Sequence, residues 1–219
     1  MSAAVIQLLV LAGIAIFLIL RLRSVLGTRE GFEKPPLPAE RAGPADRRDF
    51  EVIEGGPDRD ITDHVPEGSD AAQALARMKR IEPGFSVGEF LQGARGAYEM
   101  ILMAFEHGNI DQVAPFLDQD VEQAFRDVIV QREGQGLSIQ SSFVGVRELA
   151  LVDAELDTGT DMAEITVRFV GEMTHIVRNA AGEVIEGSET EIKRQRDVWT
   201  FARKMGTGDP NWKLIATGE

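Results

Sequence analysis

The 219-residue chain has no cysteine, which removes disulfides, thiolate metal sites and thiol nucleophiles from consideration. Histidine is scarce. The three that occur, His64, His107 and His175, are too widely spaced to form a metal-ligand pattern. Neither a GxGxxG run nor a Walker pattern occurs, so no phosphate-cradling loop is expected and no cofactor is predicted. Positive charge is in deficit, with 23 Lys+Arg against 36 Asp+Glu for a net charge of -13. A polyanion needs a dense basic surface, so nucleic acid is not an expected partner. Aromatic residues are few, with a single tyrosine, Tyr98, and two tryptophans, Trp199 and Trp212.

What is present falls into three parts. From Ala3 to Leu20 the run AAVIQLLVLAGIAIFLIL carries no charge, and as a helix it spans about 27 Å, close to the roughly 30 Å hydrocarbon core of a bilayer. Arg21, Arg23 and Arg29 follow the run and nothing basic precedes it except the terminal amine. By the positive-inside rule residues 1–26 are expected to form a single transmembrane anchor, with everything after Arg21 cytoplasmic. Residues 27–69 are expected to be an acidic, Pro-rich disordered linker. Between Glu30 and Asp70 there are 12 acidic against 5 basic residues, with six prolines and no helical or alternating pattern, too little apolar surface to offset ordering entropy. Such a tether reaches about 35 Å on average. Within it, Phe50, Val52 and Ile53 form a candidate short docking motif, or simply a few apolar residues in a linker.

Residues 70–219 carry the periodicity of a folded domain. In DAAQALARMKRI, Leu75, Met78 and Ile81 share one side and Arg77, Lys79 and Arg80 the other, so this helix either lies on anionic lipid or packs on the domain. Arg77, Met78, Lys79 and Arg80 are therefore the lipid-binding candidates. Ser86 and Glu89 form a capping box before a long helix in which Phe90, Ala94, Ala97, Ile101 and Phe105 recur at helical spacing up to Gly108. Two shorter helices are expected near Ile110 to Leu117 and Val121 to Arg132, the second with Val121, Phe125, Val128 and Ile129 inward. From Leu137 the period becomes two, giving strands from Ser142 to Leu156, Met162 to Val177, Ile185 to Arg203 and Asn211 to Thr217. Helices followed by a meander predict an α+β domain, with a curved antiparallel sheet packed on helices and room for an apolar pocket.

Several segments resemble a known family. The apolar N-terminus followed by LRSVLGTREGFE, the helix FLQGARGAYEMILMAFEHG, the strand DVWTFAR and the closing PNWKLIAT are similar to the bacterial TimA family of Tim-forty-four-like domain proteins, named for a mitochondrial inner-membrane import subunit. The resemblance covers the anchor and roughly residues 84–217. It implies a fold like that of nuclear transport factor two. It also implies a membrane-side adaptor that holds translocon or chaperone partners and has affinity for anionic lipid.

That fold also serves enzymes whose pocket positions a carboxylate with a Tyr or Asp donor. Here Tyr98 with His175 and Asp153 or Asp197 would be the group, but Tyr98 sits on the apolar face of its helix and His175 alternates along a strand. No catalytic residue is predicted. Tyr98, Phe169, Trp199 and Phe201 are the pocket-lining candidates, and Trp199 and Trp212 are expected to be largely buried in the sheet. The sequence thus predicts a single-pass adaptor of a bacterial inner membrane whose cytoplasmic domain binds a protein partner. A lipid or small-molecule carrier and a pocket enzyme are the alternatives.

Overall fold

A computed structural model describes residues 56–218. The expected anchor, the motif Phe50, Val52, Ile53 and most of the expected linker lie outside these residues. Four α-helices come first: α1, Arg59–Thr62; α2, Asp70–Ile81; α3, Val87–Glu106; and α4, Gln119–Gly134. Two 3-10 turns, Ile110–Gln112 and Ala114–Phe116, separate α3 from α4. One sheet follows with its strands in sequence order, all antiparallel: β1, Ser138–Asp157; β2, Met162–Arg178; β3, Val184–Lys204; and β4, Lys213–Gly218. Among the described residues no helix is long and apolar enough to cross a membrane.

The helices start where side chains can satisfy their free N–H groups. Ser69 Oγ accepts from the N–H of Ala72 at 3.1 Å, and Asp118 accepts from that of Asp120 at 3.1 Å. At α3, Ser86 Oγ accepts from Glu89 N–H at 3.3 Å, and a second cap arrives from far away. The Asp60 carboxylate accepts from Val87 N–H at 2.8 Å and Gly88 N–H at 2.9 Å.

That cap comes from a segment ahead of the expected boundary at Asp70. Residues from Arg59 to Val65 belong to the fold, because Ile61 and Val65 are buried in the core and Asp60 holds the start of α3. Lys79 ties the same segment to α2, with its Nζ 2.7 Å from both Asp58 and Asp60. Burial alone would push the Asp60 carboxyl up. Lys79, the N–H groups of Gly88 and Val87, and Ser86 outweigh it and hold the group far below the usual carboxylate range.

The core lies between α3 and the sheet. Phe90, Leu91, Ala94, Tyr98, Ile101 and Leu102 of α3 meet Ala163, Ile165, Val167 and Phe169, which alternate down β2, and Trp199 and Phe201 on β3. The β2–β3 register places Val167 opposite Trp199 and Ile165 opposite Phe201. Three register shifts interrupt β1, between Phe143 and Gly145, Val146 and Glu148, and Leu151 and Asp153, and such bulges bend a strand. The small buried residues Ala71, Ala72 and Ala74 let α2 lie close to the core, with Leu75 and Met78 at its centre. On α4, Val121 and Ile129 face inward as expected, whereas Val128 is exposed because it falls outside that stripe.

Candidate functional site

An open groove of about 470 Å³ runs along one flank of α3. Glu89, Gly93, Ala97 and Met100 recur along α3 and form one wall. The opposite wall is the loop joining β3 to β4, chiefly Pro210, Asn211 and Trp212, with Phe85, Phe90, Phe116 and Phe201 contributing aromatic surface. From Ser86 to Met100 the helix runs about 21 Å, long enough for several side chains of a bound segment.

Aromatic contacts hold the loop side. The Trp212 ring lies 4.8 Å from Phe90, edge to face, and 6.1 Å from Phe85, while the Arg203 guanidinium sits 5.1 Å from its centroid. Arg203 is almost wholly buried. Its guanidinium donates to Glu82 Oε1 at 3.1 Å and to the carbonyl of Asp209 at 2.7 Å, and a second nitrogen lies 3.0 Å from Glu82 Oε2. Glu82 also accepts from Gly206 N–H at 3.1 Å. This pair clamps the end of α2 to the Trp212 loop and cancels the charge of Arg203, so Glu89 is left as the uncompensated charge of the lining.

The helix wall is unusual in its glycines. Side chains added at Gly93 or Gly96 would meet nothing within 4 Å. A glycine inside a helix costs about 0.5–1 kcal/mol relative to alanine, and neither position is demanded by packing. Gly93 keeps the groove open.

The expected pocket residues divide. Only Phe201 lines the groove. Tyr98, Phe169 and Trp199 are core residues, because the inward face of α3 sets Tyr98 on the two strand residues. The Tyr98 ring stacks on Phe169 at 4.4 Å and 7°, with Trp199 at 4.8 Å. The Tyr98 hydroxyl donates to Asp197 Oδ2 at 2.6 Å in a buried contact, and Gln195 donates to Asp197 Oδ1 at 3.0 Å. Burial pushes the Tyr98 phenol up, and the Asp197 carboxylate pushes it further. Trp212, expected inside the sheet, precedes β4 and is half-buried, whereas Trp199 is buried in β3.

Of the residues considered for an enzyme, Tyr98 and Asp197 meet, whereas His175 and Asp153 bond to other groups. His175 Nδ1 lies 2.8 Å from Glu106 Oε2 and 3.0 Å from Ser141 Oγ, and that hydroxyl donates to the same Glu106 oxygen at 2.6 Å. Serine and glutamate meet one ring nitrogen, so the imidazole has no geometry for relaying a proton between them. Asp153 is exposed and bonds the N–H of Ala154. Among the described residues no cluster of His, Asp and Glu could hold a metal.

The lipid candidates divide as well. Met78 is fully buried and Lys79 is engaged by Asp58 and Asp60, because the apolar stripe of α2 turns toward the sheet. Arg77 and Arg80 remain exposed, too few to form the insertion surface expected of the helix.

A curved antiparallel sheet wrapped on a long helix, with an aromatic groove beside it, defines an α+β binding domain. Its sequence identifies which one: the chain belongs to the Tim44-like domain family, whose model matches residues 71–219. It is 24% identical over 153 residues to the human mitochondrial import inner membrane translocase subunit TIM44, covering 67% of this chain and 33% of that protein. The mouse protein of the same name is 23% identical over the same length and coverage. The chain thus spans about a third of the length of the curated relatives it matches. A crystal structure of the intermembrane space region of the chloroplast protein ARC6 aligns over 58% of this chain and 94% of that one, at 11% identity and a TM-score of 0.41.

Proposed function

We propose that the chain is a membrane-anchored adaptor and that the groove along α3 holds an apolar segment of a protein partner. The observation that carries this reading is Gly93, a helix-destabilising residue facing open space in a groove whose lining is largely aromatic and aliphatic, with Glu89 as its uncompensated charge. A partner segment laid against such a wall approaches the helix backbone closely and buries the half-buried Trp212 and the exposed Met100. A protein segment suits the lining better than an anionic amphiphile. Arg203 is already neutralised by Glu82, and Glu89 would repel a second negative head group.

Kinship with import-translocase subunits supports an adaptor rather than an enzyme. The run Ala3 to Leu20, flanked only on its C-terminal side by Arg21, Arg23 and Arg29, supports a single-pass anchor in a bacterial inner membrane with the domain on the cytoplasmic face. The test is chemical crosslinking in intact membranes followed by mass spectrometry, comparing the parent chain with Gly93→Leu. A specific protein adduct to the groove in the parent that is lost in the variant supports the reading. An identical adduct pattern in both would refute it.

A further inference from the structure

The core occupies one face of the sheet. Ala163, Ile165, Val167 and Phe169 of β2 point into it, so alternation sends Glu164, Thr166 and Arg168 to the other face. Ala202, Thr200 and Val198 of β3 stand opposite them, in a register unbroken from Met162↔Lys204 to Met173↔Lys193. At the centre Thr166 and Thr200 face each other with their hydroxyls 2.9 Å apart, flanked by Asp153 on β1 and Ala216 on β4. Glu155, Arg168, Lys213 and Ala216 are exposed, so no described element covers this face. Its middle is built from short side chains, which let a second sheet approach to the usual spacing of about 10 Å.

Charge on this face is sorted by strand. Glu148, Asp153 and Glu155 of β1 stand opposite Val170, Thr166 and Glu164, outward residues of β2, while Arg194 of β3 stands opposite Glu172 and Lys213 of β4 opposite Ala202. The single base of β1, Arg147, is held with Arg194 on Glu172, at 3.4 and 2.9 Å. Acid therefore collects at the β1 margin and base at the β3–β4 margin. Glu155 and Glu164 are direct cross-strand neighbours of like charge, an arrangement that destabilises a sheet unless a cation meets it. The register puts Glu155, Glu164, Ala202 and Lys213 in one row. A two-fold axis lying along the strands sets β1 of one copy over β4 of another and β2 over β3. It brings Glu155 over Lys213 of the second copy and Thr166 over its Thr200.

We propose that this outer face is a two-fold interface between two copies of the chain, centred on Thr166 and Thr200 and closed at both margins by Glu155–Lys213 pairs. Four strands are about 19 Å wide and Glu164 to Glu172 spans about 27 Å. Two copies together thus cover about 1,000 Å², enough for a specific but weak interface. Phe201 and Arg203, which line the groove, lie on the opposite face of the sheet. A dimer therefore leaves both grooves open and offers them together to a bivalent partner. The interface stands or falls independently of what the groove holds.

The experiment uses membranes carrying the full chain and exploits its lack of cysteine. With Thr200→Cys, a short bismaleimide should link two copies into a covalent homodimer identified by mass spectrometry, whereas Val128→Cys on α4 should give none above background. In the Thr200→Cys background, Glu155→Lys or Lys213→Glu alone should cut the yield at least fivefold, and the two together should restore it. Within one copy these residues are three strands, about 14 Å, apart, beyond a Debye length at physiological salt, so restoration reports contact between copies. Both are exposed, and an unaltered near-ultraviolet circular dichroism spectrum of the purified chain shows that each variant is folded. Equal yields from positions 200 and 128, charge variants that crosslink like the parent, or a double variant without restored yield would each overturn the interface. An adduct at position 200 to a different protein, with no homodimer, would make that protein the occupant and overturn it too.

Discussion

Gly93→Leu is expected to raise stability while abolishing partner binding, a combination that separates the groove from ordinary packing. A leucine Cβ at position 93 meets nothing within 4 Å, so the change costs no clash. Replacing an interior helical glycine gains about 0.5–1 kcal/mol. Partial burial of the new side chain against the aromatic wall adds up to about 1 kcal/mol. For a domain of this size a gain of about 1–2 kcal/mol raises Tm by about 3–6 °C, readily measured by circular dichroism melting. Gly96→Ala is the control, because Gly96 also faces open space but lies outside the groove lining. It should gain the propensity term alone and leave binding intact. If Gly93→Leu lowered Tm, the open space would be filled in solution and the groove would not be a free site. If it raised Tm and binding survived, the partner would dock elsewhere.

Three further outcomes follow from the contacts. Asp60→Ala removes the cap shared by Val87 and Gly88 and one partner of Lys79, so urea unfolding should show a loss of about 2–3 kcal/mol. The Asp60 pKa is depressed in the folded state. Its contribution is therefore present above the unfolded aspartate value of about 4 and is lost as pH falls below it, so the parent should lose more stability than Asp60→Ala between pH 5 and pH 2.5. Gly171→Ala would bring a Cβ within 2.6 Å of the Tyr98 hydroxyl, and since the ring is stacked in the core the melting temperature should fall, reflecting about 1–3 kcal/mol. Tyr98→Phe leaves Gln195 as the remaining side-chain donor to the buried Asp197 carboxylate, a cost of about 2–3 kcal/mol by chemical denaturation.

The order of helices and strands was legible because burial alternates as the sequence does. Ala163, Ile165, Val167 and Phe169 point inward on β2, and the stripe of α3 faces the sheet as its spacing predicts. The packing of the segment ahead of Asp70 was not legible. Asp60 caps a helix 26 residues further on, and such a contact leaves no local pattern in an acidic, Pro-containing stretch. Met78 and Lys79 misled for a related reason: amphipathic spacing on α2 fits a membrane surface and a protein core equally, and only packing decides between them. The groove was half visible. Phe201 was named as a pocket candidate and touches the groove, and Gly93 inside a strong helical pattern is a signal for an open wall, but the role of Trp212 depends on where a loop folds back. The pairing of Arg203 with Glu82, 121 residues apart, has no sequence signature.

The central claim is that the flank of α3 holds a protein segment, and site-specific photocrosslinking tests it most directly. A benzophenone amino acid placed at Met100, exposed on the groove wall, should yield a discrete protein adduct when membranes carrying the full chain are irradiated. The same probe at Val128, exposed on α4 away from the groove, should not. Adducts of equal yield at both positions, or an adduct at Met100 that contains lipid alone, would contradict the account.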